Sequence, residues 1–233
     1  MIQYLQQKID RSRAIIEQML SLCSNPYLAL SFGKDSLVML DLVQEQCPEI
    51  PCLFLKSEES YLMYNYEEVV SFYTERGLNL RIVETTRLSE YGFQWEKARK
   101  AGNKDFLLPD FFDGWDGVFM GLRIEESKAR RMTIIRKEHN KIGFRIMQYK
   151  GGQRKDMYRA CPIADWSGFE VMLYAQEKGL KLLDVYENGE DTRTTARLTG
   201  DAVRQNTLFW IQKTKPENWN RLIQMIPELQ FFK

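Results

Sequence analysis

Tyr27-Leu28-Ala29-Leu30-Ser31-Phe32-Gly33-Lys34-Asp35-Ser36-Leu37-Val38-Met39-Leu40-Asp41-Leu42-Val43 reads as a buried strand, a tight polar loop and a helix. The apolar run Tyr27–Leu30 is the strand. Ser31-Phe32-Gly33-Lys34-Asp35-Ser36 is the loop, and Leu37, Val38, Leu40, Leu42 and Val43 give the helix its apolar positions. A loop of small and hydroxyl residues with one lysine, at a helix start, is how a fold builds an anion site. Free backbone N–H groups and the positive end of the helix dipole converge there. Gly33 permits close backbone approach, Ser31 and Ser36 offer hydroxyls, and Asp35 is a candidate ligand for magnesium. A nucleotide phosphate is the expected occupant.

Working outward, the rhythm is α, β, α, β, α, β. Ile2 to Leu22 is amphipathic, with Leu5, Ile9, Ile15, Ile16, Met19 and Leu20 near helical period. After the loop's helix, which runs to about Gln46, Cys52–Leu55 reads as a second strand and Lys56–Ser60 as a polar turn. A helix to about Arg76 follows, with Gly77 at its C-cap, and Asn79–Val83 is a third strand. Alternation of this kind predicts a parallel, doubly wound sheet. Residues 84–116, aromatic and Gly/Asp-rich, break it and predict a lobe or lid. Gly117–Gly121 is a fourth strand, and a hairpin is expected between Phe144 and Tyr158. Ser167 with Glu170 marks a helix start of the capping-box kind. Gly179–Val185 is a further short element, and helices near Thr199–Ile211 and Pro216–Met225 finish the chain.

Composition narrows the classes. With 233 residues, 44% hydrophobic and 28% charged, the chain suits one α/β domain with an appended part. No apolar run reaches the roughly 18 residues of a membrane span. The N-terminal stretch lacks a signal peptide's apolar core, so the expected compartment is the cytoplasm, without membrane association. Cys23, Cys47, Cys52 and Cys161 form no CxxC pair, which leaves a zinc ribbon or an iron–sulfur cluster without support. The net charge of +1 hides segregation. Lys128 to Arg159 holds eleven Lys or Arg against Glu138 and Asp156, a net +9, and the remainder carries −8. That basic segment is either a solvated loop, a face for nucleic-acid phosphates, or a cover over a bound nucleotide. The lone His139 lies within it.

Ligands of open α/β sheets sit beyond the carboxyl ends of the strands. The four strand ends, SFGKDS, KSEES, ETTR and GLRIEES, are all polar, as a single shared site requires. The loop is not a Walker A motif, since Leu28 stands where that pattern needs its first glycine, and no GxGxxG occurs.

In its strand–loop–helix setting, SFGKDS resembles the pyrophosphate loop of the PP-loop ATP pyrophosphatases. Gly121–Arg131, GLRIEESKARR, resembles an element of the phosphoadenosine phosphosulfate (PAPS) reductases and of the ATP sulfurylase small subunit. Cys161–Val171, CPIADWSGFEV, resembles a third element of the same family. Thr192–Leu198, TRTTARL, is similar to phage and mobile-element members. The resemblance implies a five-stranded, adenine nucleotide α-hydrolase-like fold. It places a nucleotide domain at residues 1–185, with a lid or basic insertion at about 122–160, and a helical C-terminal extension at 186–233. It implies binding of ATP with Mg²⁺ by Ser31, Phe32, Gly33, Lys34, Asp35, Ser36, Gly121, Arg123, Glu126, Arg130 and Asp165. Lys34 and Arg123 would stabilise the pyrophosphate that leaves as a substrate is adenylylated. Arg123 and Arg130 have an alternative as surface partners of Glu125 or Glu126.

Departures from the family pattern direct the functional expectation. Sulfonucleotide reductases carry a C-terminal catalytic cysteine, and here no cysteine follows position 161. The second strand ends in KSEES where many relatives have a D-T-G turn. An ATP pyrophosphatase in sulfur transfer or nucleic-acid modification, akin to DNA phosphorothioation and fed by a cysteine desulfurase or other sulfur donor, therefore fits better than a reductase. The alternatives are a PAPS or adenosine phosphosulfate reductase, an ATP sulfurylase small subunit, and a non-catalytic nucleotide-binding subunit. Cys161 is either a buried structural cysteine or a thiol carrier.

Overall fold

The computed structural model describes residues 2–57, 61–62, 64–85, 114–135, 140–149, 156–186 and 201–231. The expected lid, most of the KSEES turn, His139 and the Thr192–Leu198 match lie outside the described residues or nearly so. The helices are α1 (Ile2–Leu22), α2 (Lys34–Gln44), α3 (Tyr66–Thr74), α4 (Lys128–Ile135), α5 (Gly168–Glu177), α6 (Asp201–Thr214) and α7 (Pro216–Met225). The strands are β1 (Pro26–Ala29), β2 (Cys52–Ser57), β3 (Leu80–Thr85), β4 (Gly117–Met120), β5 (Asn140–Gly143), β6 (Ile146–Gln148) and β7 (Tyr158–Ala160).

These strands form one sheet in the order β3-β2-β1-β4-β7-β6-β5. The first five run parallel, as expected, and β6 and β5 extend the sheet as an antiparallel hairpin. Chain order runs outward from β1 to β3 and then resumes on the other side of β1 at β4. The topological switch therefore lies between β1 and β4, the place where a doubly wound sheet opens a crevice.

A parallel sheet is buried on both faces, so its strands read as continuous apolar runs. Leu28, Phe54, Phe119 and Ala160 point into the larger core with α1, α2, α3, α5, α6 and α7. Tyr27, Leu53 and Val118 point the other way and pack with Met157, Trp115 and Tyr149. Tyr27 and Leu28, adjacent in sequence, are both fully buried. The α2 helix is buried nearly all round, from Leu37 to Leu40 and at Leu42 and Val43, because α1, α5 and the sheet enclose it.

The fifth parallel strand is not where a short element was expected. Gly179 takes a φ of +62° after α5, residues 180–183 pair with no strand, and Asp184–Tyr186 is a 3₁₀ turn. Leu183 and Val185 bury in the core instead. The strand is Tyr158–Ala160, hidden in the basic run. Arg159 lies on it, buried, with its guanidinium against the Met147 sulfur and 5.4 Å from the Tyr149 ring centroid.

Candidate functional site

The loop between β1 and α2 is shaped by three features. Phe32 adopts a φ of +55°, a left-handed conformation uncommon for a side-chain-bearing residue. Its ring is fully buried, edge-on to Phe54 at 5.0 Å between centroids, so aromatic packing offsets a backbone cost of ~1 kcal/mol or more. The Ser36 hydroxyl donates to the Gly33 carbonyl at 2.9 Å and accepts the Ser31 N–H at 3.2 Å. The Tyr66 hydroxyl donates to the Ser31 carbonyl at 3.3 Å. Gly33 is the N-cap of α2 and supplies no side-chain cap. The first-turn amides of α2 thus have no side-chain cap from Gly33, as an anion site at a helix start requires.

Across the switch point, the turn after β4 brings the second half of the site. Gly121 touches the start of α2. A Cβ there would stand 3.1 Å from the Asp35 carbonyl and the Ser36 Cα. Two residues on, Arg123 sends its guanidinium under the loop, with its side chain only 2% exposed. Arg123 Nε donates to Asp35 Oδ1, and Lys34 Nζ, 1% exposed, donates to Asp35 Oδ2 at 3.1 Å. Arg123 Nη1 donates to Glu125 Oε1 at 2.7 Å, and the same oxygen accepts the Gly168 N–H of α5 at 2.7 Å. The Tyr186 ring lies 5.5 Å from Lys34 Nζ. Two buried cations and a helix N-terminus thus converge on one spot, with carboxylates on one donor of Lys34 and two of Arg123.

Sequence reasoning brought Lys34, Asp35 and Arg123 together, and the structure places them in contact. The alternative of pairing with Glu125 or Glu126 holds in part: Arg130 pairs with Glu126 and Arg123 with Glu125, but Arg123 is buried and also bonds Asp35. Phe32 belongs to the site through its backbone, its ring being in the core. Glu126 accepts the Arg123 N–H at 2.9 Å and pairs with Arg130 at 3.1 Å, which fixes the turn. Asp165 gives both oxygens to Arg145, at 2.6 and 3.3 Å, while its neighbour Ala164 accepts the Ile124 N–H at 2.9 Å. The CPIADWS loop thereby supports the Arg123 turn. Glu125, Tyr186 and Tyr66 were missed as site residues. In the sequence Glu125 has only the spacing of a surface partner, and nothing local links Tyr66 or Tyr186 to the loop.

Cys161 is fully buried against Ile134, Ala164 and the turn residues Leu122 and Ile124. Burial pushes its thiol up to about 11, against the pull of Arg159, Arg145 and Arg130. Asp35, the expected metal ligand, already has one cationic donor on each oxygen. No trio of His, Cys, Asp or Glu suited to a metal occurs among the described residues.

Known proteins resemble this chain in sequence and in fold. The PAPS reductase of Buchnera aphidicola subsp. Acyrthosiphon pisum is 26% identical over 204 residues, 78% of this chain and 75% of that one. Among solved structures, the PAPS reductase of Candida auris in a phosphate complex superposes with a TM-score of 0.55 at 17% identity, covering 81% of this chain and 90% of its own. The FMN adenylyltransferase of Candida glabrata gives 0.51 at 18% identity, covering 81% of this chain and 60% of its own. These two likenesses speak for the PP-loop type of fold. Residues 25–192 match the family described as phosphoadenosine phosphosulfate reductase domain, and over that span the chain belongs to it.

Proposed function

We propose that the chain is an ATP pyrophosphatase that adenylylates an acceptor in sulfur transfer or nucleic-acid modification, in the cytoplasm. The observation that carries this reading is the meeting of Lys34, Arg123 and the α2 N-terminus at the switch point. That arrangement places two cationic side chains and a helix start where a triphosphate's outer groups would lie. As an acceptor oxygen attacks the α-phosphorus, the bond to the bridging oxygen breaks and its electron pair leaves with pyrophosphate. Lys34 and Arg123 stabilise that charge. The described residues do not form a magnesium site of their own, since both oxygens of Asp35 are engaged by cations, and no step is assigned to a metal.

Nucleic acid and a sulfur donor such as a cysteine desulfurase are the partners that fit the basic segment and this chemistry. A reductase reading has one observation in its favour, the activity named for the sequence relatives. Against it stands the burial of Cys161, because a thiol attacks as thiolate and needs access.

Pyrophosphate release from ATP, assayed with candidate acceptors, tests the proposal. Lys34→Ala and Asp35→Ala are expected to lower turnover by about 10²- to 10³-fold, the usual loss for one preorganised group, with circular dichroism unchanged. Full turnover in both variants would sink the assignment. Thioredoxin-dependent sulfite release that vanishes in Cys161→Ser would favour the reductase. ATP binding without pyrophosphate release would favour a nucleotide-binding subunit.

A further inference from the structure

The turn after β4 carries a carboxylate that phosphate binding leaves without a role. Glu125 Oε1 holds both Arg123 Nη1 and the Gly168 N–H, each at 2.7 Å. Its side chain is 51% exposed, whereas that of Asp35, on the same guanidinium, is 18% exposed and shared with Lys34. Asp35 and Glu125 already hold Arg123, and Asp35 holds Lys34, before any ligand arrives. A polyphosphate adds several negative charges, and the cluster accommodates them most cheaply by releasing a carboxylate. Of the two, Glu125 has one cationic partner among the described residues and is half exposed, so its release carries the smaller desolvation and Coulomb penalty. A phosphate oxygen suits the arginine fork as well as a carboxylate does.

We propose that Glu125 is an exchangeable placeholder, resting on Arg123 Nη1 in the free chain and displaced to solvent when a phosphate oxygen of the nucleotide's tail takes that position. The inference rests on the polyphosphate reading of the site. It makes Glu125 a specificity-determining residue: ligands of higher charge displace it, and singly charged anions do so poorly. Because one oxygen makes both contacts, displacement also frees the Gly168 N–H at the start of α5.

Calorimetric titration of the intact chain with inorganic pyrophosphate, for the wild type and Glu125→Gln, tests this. The glutamine keeps an acceptor for Gly168 and removes the competing charge. Its expected effect is an approximately three- to tenfold tighter Kd at low salt, shrinking as ionic strength rises. An unchanged or weaker Kd in the folded variant would make Glu125 a brace and overturn the proposal. Hydrogen exchange of the wild type gives a second readout that needs no variant. Saturating pyrophosphate is expected to speed exchange at the Gly168 amide, and greater protection there would also overturn the proposal. Wild type that binds no pyrophosphate would overturn the polyphosphate reading itself, whereas binding without these effects would overturn the placeholder alone.

Discussion

At Gly121 the room for a side chain is already taken by backbone, with the Asp35 carbonyl and the Ser36 Cα within 3.1 Å of an added Cβ. Main-chain atoms at a helix start cannot rotate aside, so Gly121→Ala pushes the end of β4 away from α2. The expected cost is ~1–3 kcal/mol of stability, with a larger loss of ATP turnover, because Arg123 moves off Asp35. A thermal melt and a pyrophosphate-release assay together check this. Wild-type turnover in Gly121→Ala would show that the contact is dispensable. Cys161 gives a pH-dependent prediction. Its native thiol ionises near 11, against the ordinary 9.0, because burial opposes the thiolate. The protonated form is thus favoured by folding, and that stability is intact below pH 9 and lost as pH rises through about 11. Denaturation midpoints are expected to fall less steeply over this window in Cys161→Ala than in the wild type, and parallel curves would contradict this. Cys23 and Cys52, raised to about 12 by burial, keep their share to higher pH.

Among the elements, α5 shows how a local signal is reinforced from a distance. The Glu170 amide donates to Ser167 Oγ at 3.2 Å, and Glu170 Oε2 accepts the Ser167 N–H at 2.6 Å, completing the capping box. Burial alone would raise the Glu170 carboxyl, but the bonds from Lys8 and Ser167 bring it below its ordinary value. Lys8 reaches it from α1 at 2.6 Å, so the cap also joins two helices. Ser167→Ala is expected to cost ~1 kcal/mol, as cap losses usually do, read as a lower midpoint in urea with an unchanged slope. An undiminished midpoint would mean that Lys8 and Glu170 hold the helix start unaided. The same helix start feeds the Gly168 N–H to Glu125, which ties its integrity to the candidate site.

For the whole molecule, the charge segregation read from composition is partly consumed by structure. Arg130 pairs with Glu126, Arg145 with Asp165, and Arg159 is buried beside Met147 and Tyr149. Lys128 and Arg131 of α4 remain exposed. Should nucleic acid be the acceptor, Lys128→Ala with Arg131→Ala is expected to weaken its binding in a sequence-independent way. The slope of log affinity against log salt should drop by about two, with pyrophosphate binding unchanged. Electrophoretic mobility shifts across a salt series measure this, and an unaltered slope would move the interface elsewhere. No helix among the described residues is long and apolar enough to cross a membrane.

The first helix, the β1–loop–α2 unit, the α5 cap and the last helix were legible in the sequence because their signals are local. Period, capping residues and a glycine beside a lysine act within a few positions of one another. Sequence also supplied Lys34, Asp35 and Arg123 as one set, through motifs that keep their order along the chain. The fifth parallel strand was legible only as one arm of the hairpin expected between Phe144 and Tyr158, which β6 and β7 form, and not as a member of the parallel set. Three residues with a central arginine carry no strand pattern, and Arg159 becomes buried only because β6 and Tyr149 supply its surroundings. Helix α4 was hidden for a related reason, since it buries Ile134 but leaves Met132 and Ile135 half exposed. The partners of Arg123 lay beyond reach as well. Asp35 is 88 residues away from it, and only the reversal of strand order between β1 and β4 brings the two loops together. The sequence by itself determined which groups could bind a phosphate. The tertiary structure decided that they face one another, buried and already paired, because burial and charge pairing depend on neighbours that chain order does not supply.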